Sequence, residues 1–587
     1  MIRTLLSNAY QCLGWRMILL FLLLLLSGVF EGLGLTMLFP LLAKFGMGDS
    51  TGAGGPLAAI QSILNFFHVP DQFGVLLVIT IGLMYLQVMF TFAKGWMETE
   101  CQTRYTNYWQ RNLFDHFIDA GWAFFTGERA ANRVNAIMVD SGRISAAFYV
   151  VVQIATCTVF ILVYALISLF SSWKMVLFLS GFGAAIYASV RPLSRKTRRI
   201  GEEVTTVSED LQHRTTEFMH NAKLIKATAT EPMAVRLFAQ AAERFRRIYL
   251  AAGIMPKLIV AIYMLCGYTI LGVGLWLAVV HFKVNPAAVV VAIYIFLRLY
   301  MQLTNLQQFR QGFLLSAPAL PAAMRQLDHA RSLRETMNNG KALPEGPAGI
   351  VLDRVSVNYG PTQALDEVSL EVAAGEMAGI TGPSGAGKST LVDVMVGLVK
   401  KEKGSIEIDG TPIEEISLRD WRRSIGYVGQ ETLLLNGTVA ENLTWGNDVA
   451  RSIVEEAAKT ANAHDFIMDL PNGYDTEIGD RGARLSGGQR QRLGLARALV
   501  GGKRLLILDE ATSALDAESE HQILKALERL RGKVTILMVA HRLATLSLAD
   551  TILLFDKGRI VESGSWAELT EQKGLFDRLR QLQSTSL

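Results

Sequence analysis

Cysteine is scarce and scattered. The four in 587 residues, Cys12, Cys101, Cys157 and Cys266, match no metal-ligand spacing and no disulfide framework, so they read as packed small hydrophobes. Charge is sparse too: charged residues make up 19% of the chain and the net charge is only +4. No basic stretch is interleaved with aromatics, which argues against nucleic acid as a partner. Few prolines or glycines break the polar stretches, so those stretches read as helices rather than solvated linkers. What is abundant is apolar. Half of the residues are hydrophobic and the mean hydropathy is positive, the balance of a membrane protein long enough for several domains.

Met1 to Trp15 sets Leu5, Leu6, Tyr10 and Leu13 among polar residues, the pattern of an interfacial helix. The apolar run that follows, Met17 to Phe39, is too long for a secretory signal and closes on no small-residue cleavage site. It can cross about 30 Å of hydrocarbon. Five further spans fall near 73–94, 145–170, 175–190, 258–280 and 287–311. The connections at 171–174 and 281–286 are short, whereas those after the second and fourth spans are long and basic, with five cations and no acid between Arg191 and Arg199. The positive-inside tendency places these long connections, and both termini, in the cytoplasm. Residues 43–72, with one Lys and no Arg, are then external.

Gly201 to Tyr249 keeps Val204, Val207, Leu211, Phe218 and Ile225 on one helical face. This stretch and 96–135 are expected to continue the spanning helices into the cytoplasm. Asn338, Asn339, Gly340, Pro344, Gly346 and Pro347 then mark a linker. The expected division is a membrane domain at 1–336, a linker at 337–348 and a soluble domain at 349–587.

In the soluble domain, strand-like runs alternate with helical ones, which predicts an α/β fold. Gly382, Pro383, Ser384, Gly385, Ala386, Gly387, Lys388, Ser389 and Thr390 spell G-x-x-x-x-G-K-[ST] between the apolar run Met377 to Ile380 and a helical run to Leu398. That context is what a phosphate-binding loop requires: glycines let backbone N–H groups close around phosphate, Lys388 reaches the outer phosphates, and Ser389 can ligand Mg2+. Leu505 to Leu508 is an apolar strand ending in Asp509 and Glu510, the first suited to the metal's shell and the second to the attacking water. Leu485, Ser486, Gly487, Gly488 and Gln489 precede a helix whose N-terminus offers partial positive charge to phosphate.

The ordered set of Gly382 to Thr390, Gln430, Leu485 to Gln489, Asp509 and Glu510, Ser513 to Asp516, and His541 resembles the nucleotide-binding domain of ATP-binding cassette (ABC) transporters. Six spans before one such domain resemble an exporter half-transporter. The fold this implies is an all-α six-helix transmembrane domain followed by an α/β P-loop ABC ATPase domain. The resemblance implies ATP and Mg2+ as cofactors and hydrolysis coupled to transport. It implies that Tyr359 stacks on adenine and that Lys388, Ser389 and Thr390 hold phosphate and metal. Gln430 would sense the metal and couple to the membrane helices, and His541 would contact the γ-phosphate. Within the signature Ser486, Gly487, Gly488 and Gln489, Ser486 and Gly488 would reach the γ-phosphate of ATP held by a second subunit, with Asp516 across the same interface. One phosphate loop and one signature imply a dimer, most simply a homodimer in a bacterial-type inner membrane. Thr476 to Gly482 looks like an exporter-type loop facing the membrane domain, and parts of 120–131 and 217–226 are candidate coupling helices.

Two ionisable residues fall inside expected spans. Glu31 and Arg298 both lie roughly 20 Å from the cytoplasmic side at about 1.5 Å per residue. They either pair with each other or, in the case of Arg298, receive an anionic head group. Glu31 followed by Gly32, Leu33, Gly34 and Pro40 resembles the first span of exporters that flip lipids or lipid-linked sugars. An amphipathic lipid, a drug or small peptide, and a channel or regulator gated by ATP all remain open at this point.

Overall fold

The computed structural model describes residues 2–37, 41, 68, 70, 72–127, 130–171, 173–276, 280, 286–335, 340–511 and 517–584, with the backbone alone at 35, 169–171, 173–189, 286–292, 517 and 584. Two compact units divide the chain, Met1–Arg334 and Glu335–Leu587.

The described part of the first unit is helical. Its long helices are Trp15–Thr36, Phe73–Ile118, Ser141–Ser171, Trp173–His220, Glu231–Trp276 and Pro286–Ser316. Each of the six expected spans lies largely on one of them, with 38–39 and 277–279 outside the described residues. Among the described residues, Trp15–Gly34, Phe73–Ile118, Ala130–Ser168 and Glu231–Trp276 are long and apolar enough to cross a membrane. Phe73–Ile118, Trp173–His220 and Glu231–Trp276 have 46, 48 and 46 residues. At 1.5 Å per residue each is about 70 Å long, more than twice the ~30 Å of hydrocarbon, so the polar halves continue beyond it. The external connection expected at 43–72 lies almost wholly outside the described residues.

Close approach of helices is built on small residues. A Cβ at Gly28 would stand 2.8 Å from Val159 Cγ1, and one at Gly32 would stand 2.6 Å from Val163 Cγ1. These two glycines, four apart, let Trp15–Thr36 lie directly on Ser141–Ser171, as small residues do between membrane helices.

The N-terminal helix, Ile2–Leu13, buries Leu5 and Leu13 of the expected apolar set but leaves Tyr10 out. Leu5, Ala9 and Leu13 are buried in a cluster with Cys101, Tyr105 and Trp109, while Tyr10 is 54% exposed. The i, i+4, i+8 row packs on protein, and Tyr10 lies off that row. Cys101 and Cys157 are buried and free, but Cys12 and Cys266 are only partly covered. The two candidate coupling stretches differ: Trp122–Gly127 buries Phe124 against Phe117 at 5.2 Å, whereas Ala222–Ala227 buries nothing.

The second unit contains ten strands among its described residues: β1 (Ile350–Tyr359), β2 (Thr362–Val372), β3 (Met377–Thr381), β4 (Lys403–Ile408), β5 (Thr411–Pro412), β6 (Ile425–Val428), β7 (Leu505–Asp509), β8 (Thr535–Val539), β9 (Thr551–Asp556) and β10 (Arg559–Gly564). They form a four-stranded sheet ordered β2-β1-β4-β5 and a six-stranded sheet ordered β10-β9-β3-β8-β7-β6. The first is antiparallel, and its β1–β2 hairpin turns at Gly360 and Pro361. In the second, β9, β3, β8, β7 and β6 run parallel. β3 and β8 are buried along their whole length, which is why they read as unbroken apolar runs rather than alternating ones.

That topology positions the site. In an open parallel sheet, ligands bind outside the carboxyl ends of the strands. β3 delivers Gly382 to Lys388, β6 delivers Gln430, β7 delivers Asp509 and Glu510, and β8 delivers His541, all at that same edge.

Candidate nucleotide site

The phosphate loop is closed by glycine. Gly382 has φ +145°, and a Cβ there would run into the carbonyl of Phe555. Gly387, with φ +102°, caps the helix Lys388–Met395 in the left-handed region, and its Cβ would stand 2.5 Å from the carbonyl of Ala364. The loop is thus a narrow backbone cradle opening onto a helix N-terminus, the arrangement that receives phosphate. Pro383, Ser384, Gly385 and Ser389 are exposed, Gly387 and Thr390 are partly covered, and Ala386 is buried.

Lys388 is only 6% exposed, and its Nζ donates to the carbonyls of Gly382 at 2.8 Å and Pro383 at 2.9 Å. Burial lowers its pKa, while the charges of Glu510 and Asp509 work the other way. The ammonium is held over the loop by neutral acceptors that a phosphate can replace with stronger, charge-assisted ones. ATP therefore fits the donors present.

Asp509 ends β7 opposite Val539 of β8. Burial raises its pKa, against which Tyr427 donates its hydroxyl to Oδ2 at 3.2 Å. Asp393, on the helix that leaves the phosphate loop, is pushed up to about 6, first by burial and then by the charge of Asp509. Glu510 has φ +51°, a left-handed conformation that costs a non-glycine residue on the order of 1 kcal/mol or more. Its N–H donates to Val539 O at 2.9 Å, and its Oε1 lies 2.6 Å from Nε2 of His541. The strained backbone turns this carboxylate out of the strand line and onto the imidazole.

The signature has a different geometry. Ser486 caps the helix Gly487–Leu499: its Oγ accepts from Gln489 N–H at 3.2 Å, and Gln489 Oε1 accepts from Ser486 N–H at 2.8 Å. Gly488 is buried, but Ser486 and Gly487 are exposed, and a Cβ at Gly487 would meet nothing in this chain. The clearance there faces outward.

Gln430 is exposed and lines a cavity of about 520 Å³ with Thr432, Leu434, Arg481, Gly487 and Arg490. Among the described residues it hydrogen-bonds neither Ser389 nor Asp509. Tyr359 stands 48% exposed at the end of β1. Asp516 lies outside the described residues. The sequence reading missed Tyr427, whose place on the edge strand beside β7 no motif signals.

In the helical unit the structure brings Glu31 and Arg298 together. Arg298 Nη1 is 3.8 Å from Glu31 Oε1, and Tyr164, also missed in the sequence, donates its hydroxyl to that same oxygen. Arg298 also donates through Nε to Tyr294 OH at 3.2 Å, with its guanidinium 5.5 Å from the Tyr294 ring centroid. The two side chains differ in exposure, 45% for Arg298 and 13% for Glu31.

A multihelical membrane unit joined to a parallel-sheet domain with this edge of phosphate loop, paired acids and histidine defines an ATPase tied to a membrane machine. Residues 365–513 match the family model described as ABC transporter, and residues 17–305 match the one described as ABC transporter transmembrane region. The chain is 33% identical over 514 residues to the ATP-dependent lipid A-core flippase of Burkholderia pseudomallei, covering 86% of this chain and 85% of that one. It is 31% identical over 540 residues to the protein of the same name from Cupriavidus metallidurans, covering 89% and 88%. The solved structure of a bacterial Atm1-family ABC exporter with ATP bound superposes with a TM-score of 0.81 at 25% identity, over 97% of this chain and 98% of the other. The chain belongs to the ABC transporter family. It is an ATP-driven exporter in which one helical membrane region precedes one ATPase domain, and its ATP hydrolysis is coupled to transport.

Proposed function

We propose that the cargo is an amphipathic lipid or lipid-linked molecule bearing an anionic head group, carried outward across a bacterial inner membrane by a homodimer with cytoplasmic ATPase domains. The observation that carries this reading is Arg298, a guanidinium on a spanning helix that keeps 45% of its side chain exposed although Glu31 lies within reach. A cation within the bilayer costs up to about 2.5 to 3.5 kcal/mol on insertion scales, and one that keeps an exposed face beside its Glu31 partner is placed to receive an anionic ligand. The relatives named lipid A-core flippase support a lipid cargo of this kind.

In the ATPase domain, Tyr359 stacks on the adenine, Lys388 and Thr390 hold the outer phosphates, and Ser389, Asp509 and Gln430 offer hard oxygen donors that suit Mg2+. Mg2+ held by these donors would neutralise charge on the phosphates. Glu510 orients the attacking water and takes its proton, and His541 holds the carboxylate and reaches the γ-phosphate. Ser486 and Gly488 of the partner's signature, with Asp516, complete the site, which is why Ser486 and Gly487 are left open in a single chain. Closure around ATP and release after hydrolysis alternate the access of the membrane region.

Mass spectrometry of small molecules retained by the purified, nucleotide-free dimer tests the cargo. A phosphate-bearing lipid present in the natural protein and lost in Arg298→Ala is the expected result. A neutral or peptidic ligand indifferent to that substitution would favour a drug or small-peptide exporter and return Arg298 to a structural role.

A further inference from the structure

The helix Leu575–Ser584 reaches back to the edge where ATP is hydrolysed. Its Gln583, 42 residues beyond His541, donates through Nε2 to the carbonyl of His541 at 2.7 Å, and its Oε1 accepts from the N–H of Leu543 at 3.0 Å. One side-chain amide therefore clamps the backbone on both sides of Arg542. Each of the two contacts occupies a main-chain group that follows β8 and lies outside its ladder.

The clamp is rigid at its base. Glu562 accepts from the N–H groups of Leu575 at 2.5 Å and Phe576 at 3.0 Å, placing a carboxylate on the helix N-terminus. Phe576 is fully buried, edge-on to Trp566 at 5.4 Å, and the buried Asp577 accepts from Arg580 and Gln581. Glu520 in turn accepts from Arg542 at 3.1 Å and from Thr545 at 2.8 Å. His541 is itself 45% exposed, and Glu510 is its ion-pair partner. The imidazole is thus placed by its contact with Glu510 and by its backbone, and Gln583 holds that backbone where it leaves His541.

We infer that Gln583 is a positioning residue for ATP hydrolysis, acting through His541. This rests on the reading that Glu510 and His541 act on ATP, and it adds that the C-terminal helix sets how well they do so. A group that positions another changes turnover without changing the affinity for ATP, and its effect disappears when the group it positions is removed.

The test is steady-state ATPase activity of the full-length protein against ATP concentration for the natural chain, Gln583→Ala, His541→Ala, the double variant and Leu582→Ala, with thermal unfolding of each. Gln583→Ala is expected to lower kcat about five- to tenfold, the size of one or two net hydrogen bonds, with KM for ATP and the unfolding temperature unchanged. In the His541→Ala background it is expected to do nothing further. Leu582→Ala, which trims an exposed neighbour on the same helix, is expected to leave kcat alone. An unchanged kcat in Gln583→Ala, a drop that multiplies with that of His541→Ala, or an equal drop in Leu582→Ala would each overturn the inference while leaving the ATP site intact. Full activity in His541→Ala would remove the reading of His541 and this inference with it.

Discussion

Nε2 of His541 and Oε1 of Glu510 meet at 2.6 Å across the carboxyl ends of two adjacent parallel strands, β8 and β7. Glu510 makes this contact from a left-handed backbone just past the end of β7. General-base steps contribute about 100- to 10,000-fold. Glu510→Gln should therefore lower kcat for ATP by at least about 100-fold while ATP remains bound. Phosphate release together with nucleotide retained on the dimer checks this, and undiminished turnover would refute the assigned base.

Lys388 is proposed to act earlier, at binding. On that reading its ammonium exchanges the carbonyls of Gly382 and Pro383 for phosphate oxygens, and a hydrogen bond to a charged partner is worth about 1.5 to 3 kcal/mol. Lys388→Ala should weaken ATP binding by about 10- to 100-fold, read by calorimetry. An unaltered Kd would mean that the lysine does not reach the phosphates.

Asp393 makes stability depend on pH. Its folded pKa is raised to about 6 by burial and by Asp509, from an ordinary value of 3.8, so the folded protein binds this proton more tightly than the unfolded chain does. The stabilisation is present below about 4 and is lost as pH rises toward about 6. Asp393→Asn, which stays neutral, should hold its unfolding temperature over that window where the natural protein declines. Parallel pH profiles for the two would count against the shift.

Gly32 tests the packing of the membrane unit. A larger side chain must displace Val163, and overpacking of this kind costs about 1 to 3 kcal/mol. Gly32→Leu should lower the thermal unfolding temperature in detergent, whereas the same change at Gly82, where a Cβ meets nothing, should not.

The local chemistry was legible in the sequence because it depends on close neighbours. G-x-x-x-x-G-K-[ST] states its own backbone geometry, Leu505 to Glu510 states a buried strand ending in acids, and runs of some twenty apolar residues state membrane helices, since lipid leaves the backbone few other ways to satisfy itself. Relations between distant stretches were not legible. Strand order decided that β3, β6, β7 and β8 deliver their loops to one edge, and packing decided that Tyr427 donates to Asp509, that Tyr164 joins Glu31 beside Arg298, and that Gln583 clamps the peptide bonds on both sides of Arg542. Such contacts span tens to more than a hundred residues of chain and leave no periodicity or spacing behind. They exist because the fold brings polar groups from distant stretches within hydrogen-bonding reach, and only the folded arrangement says which partner that is.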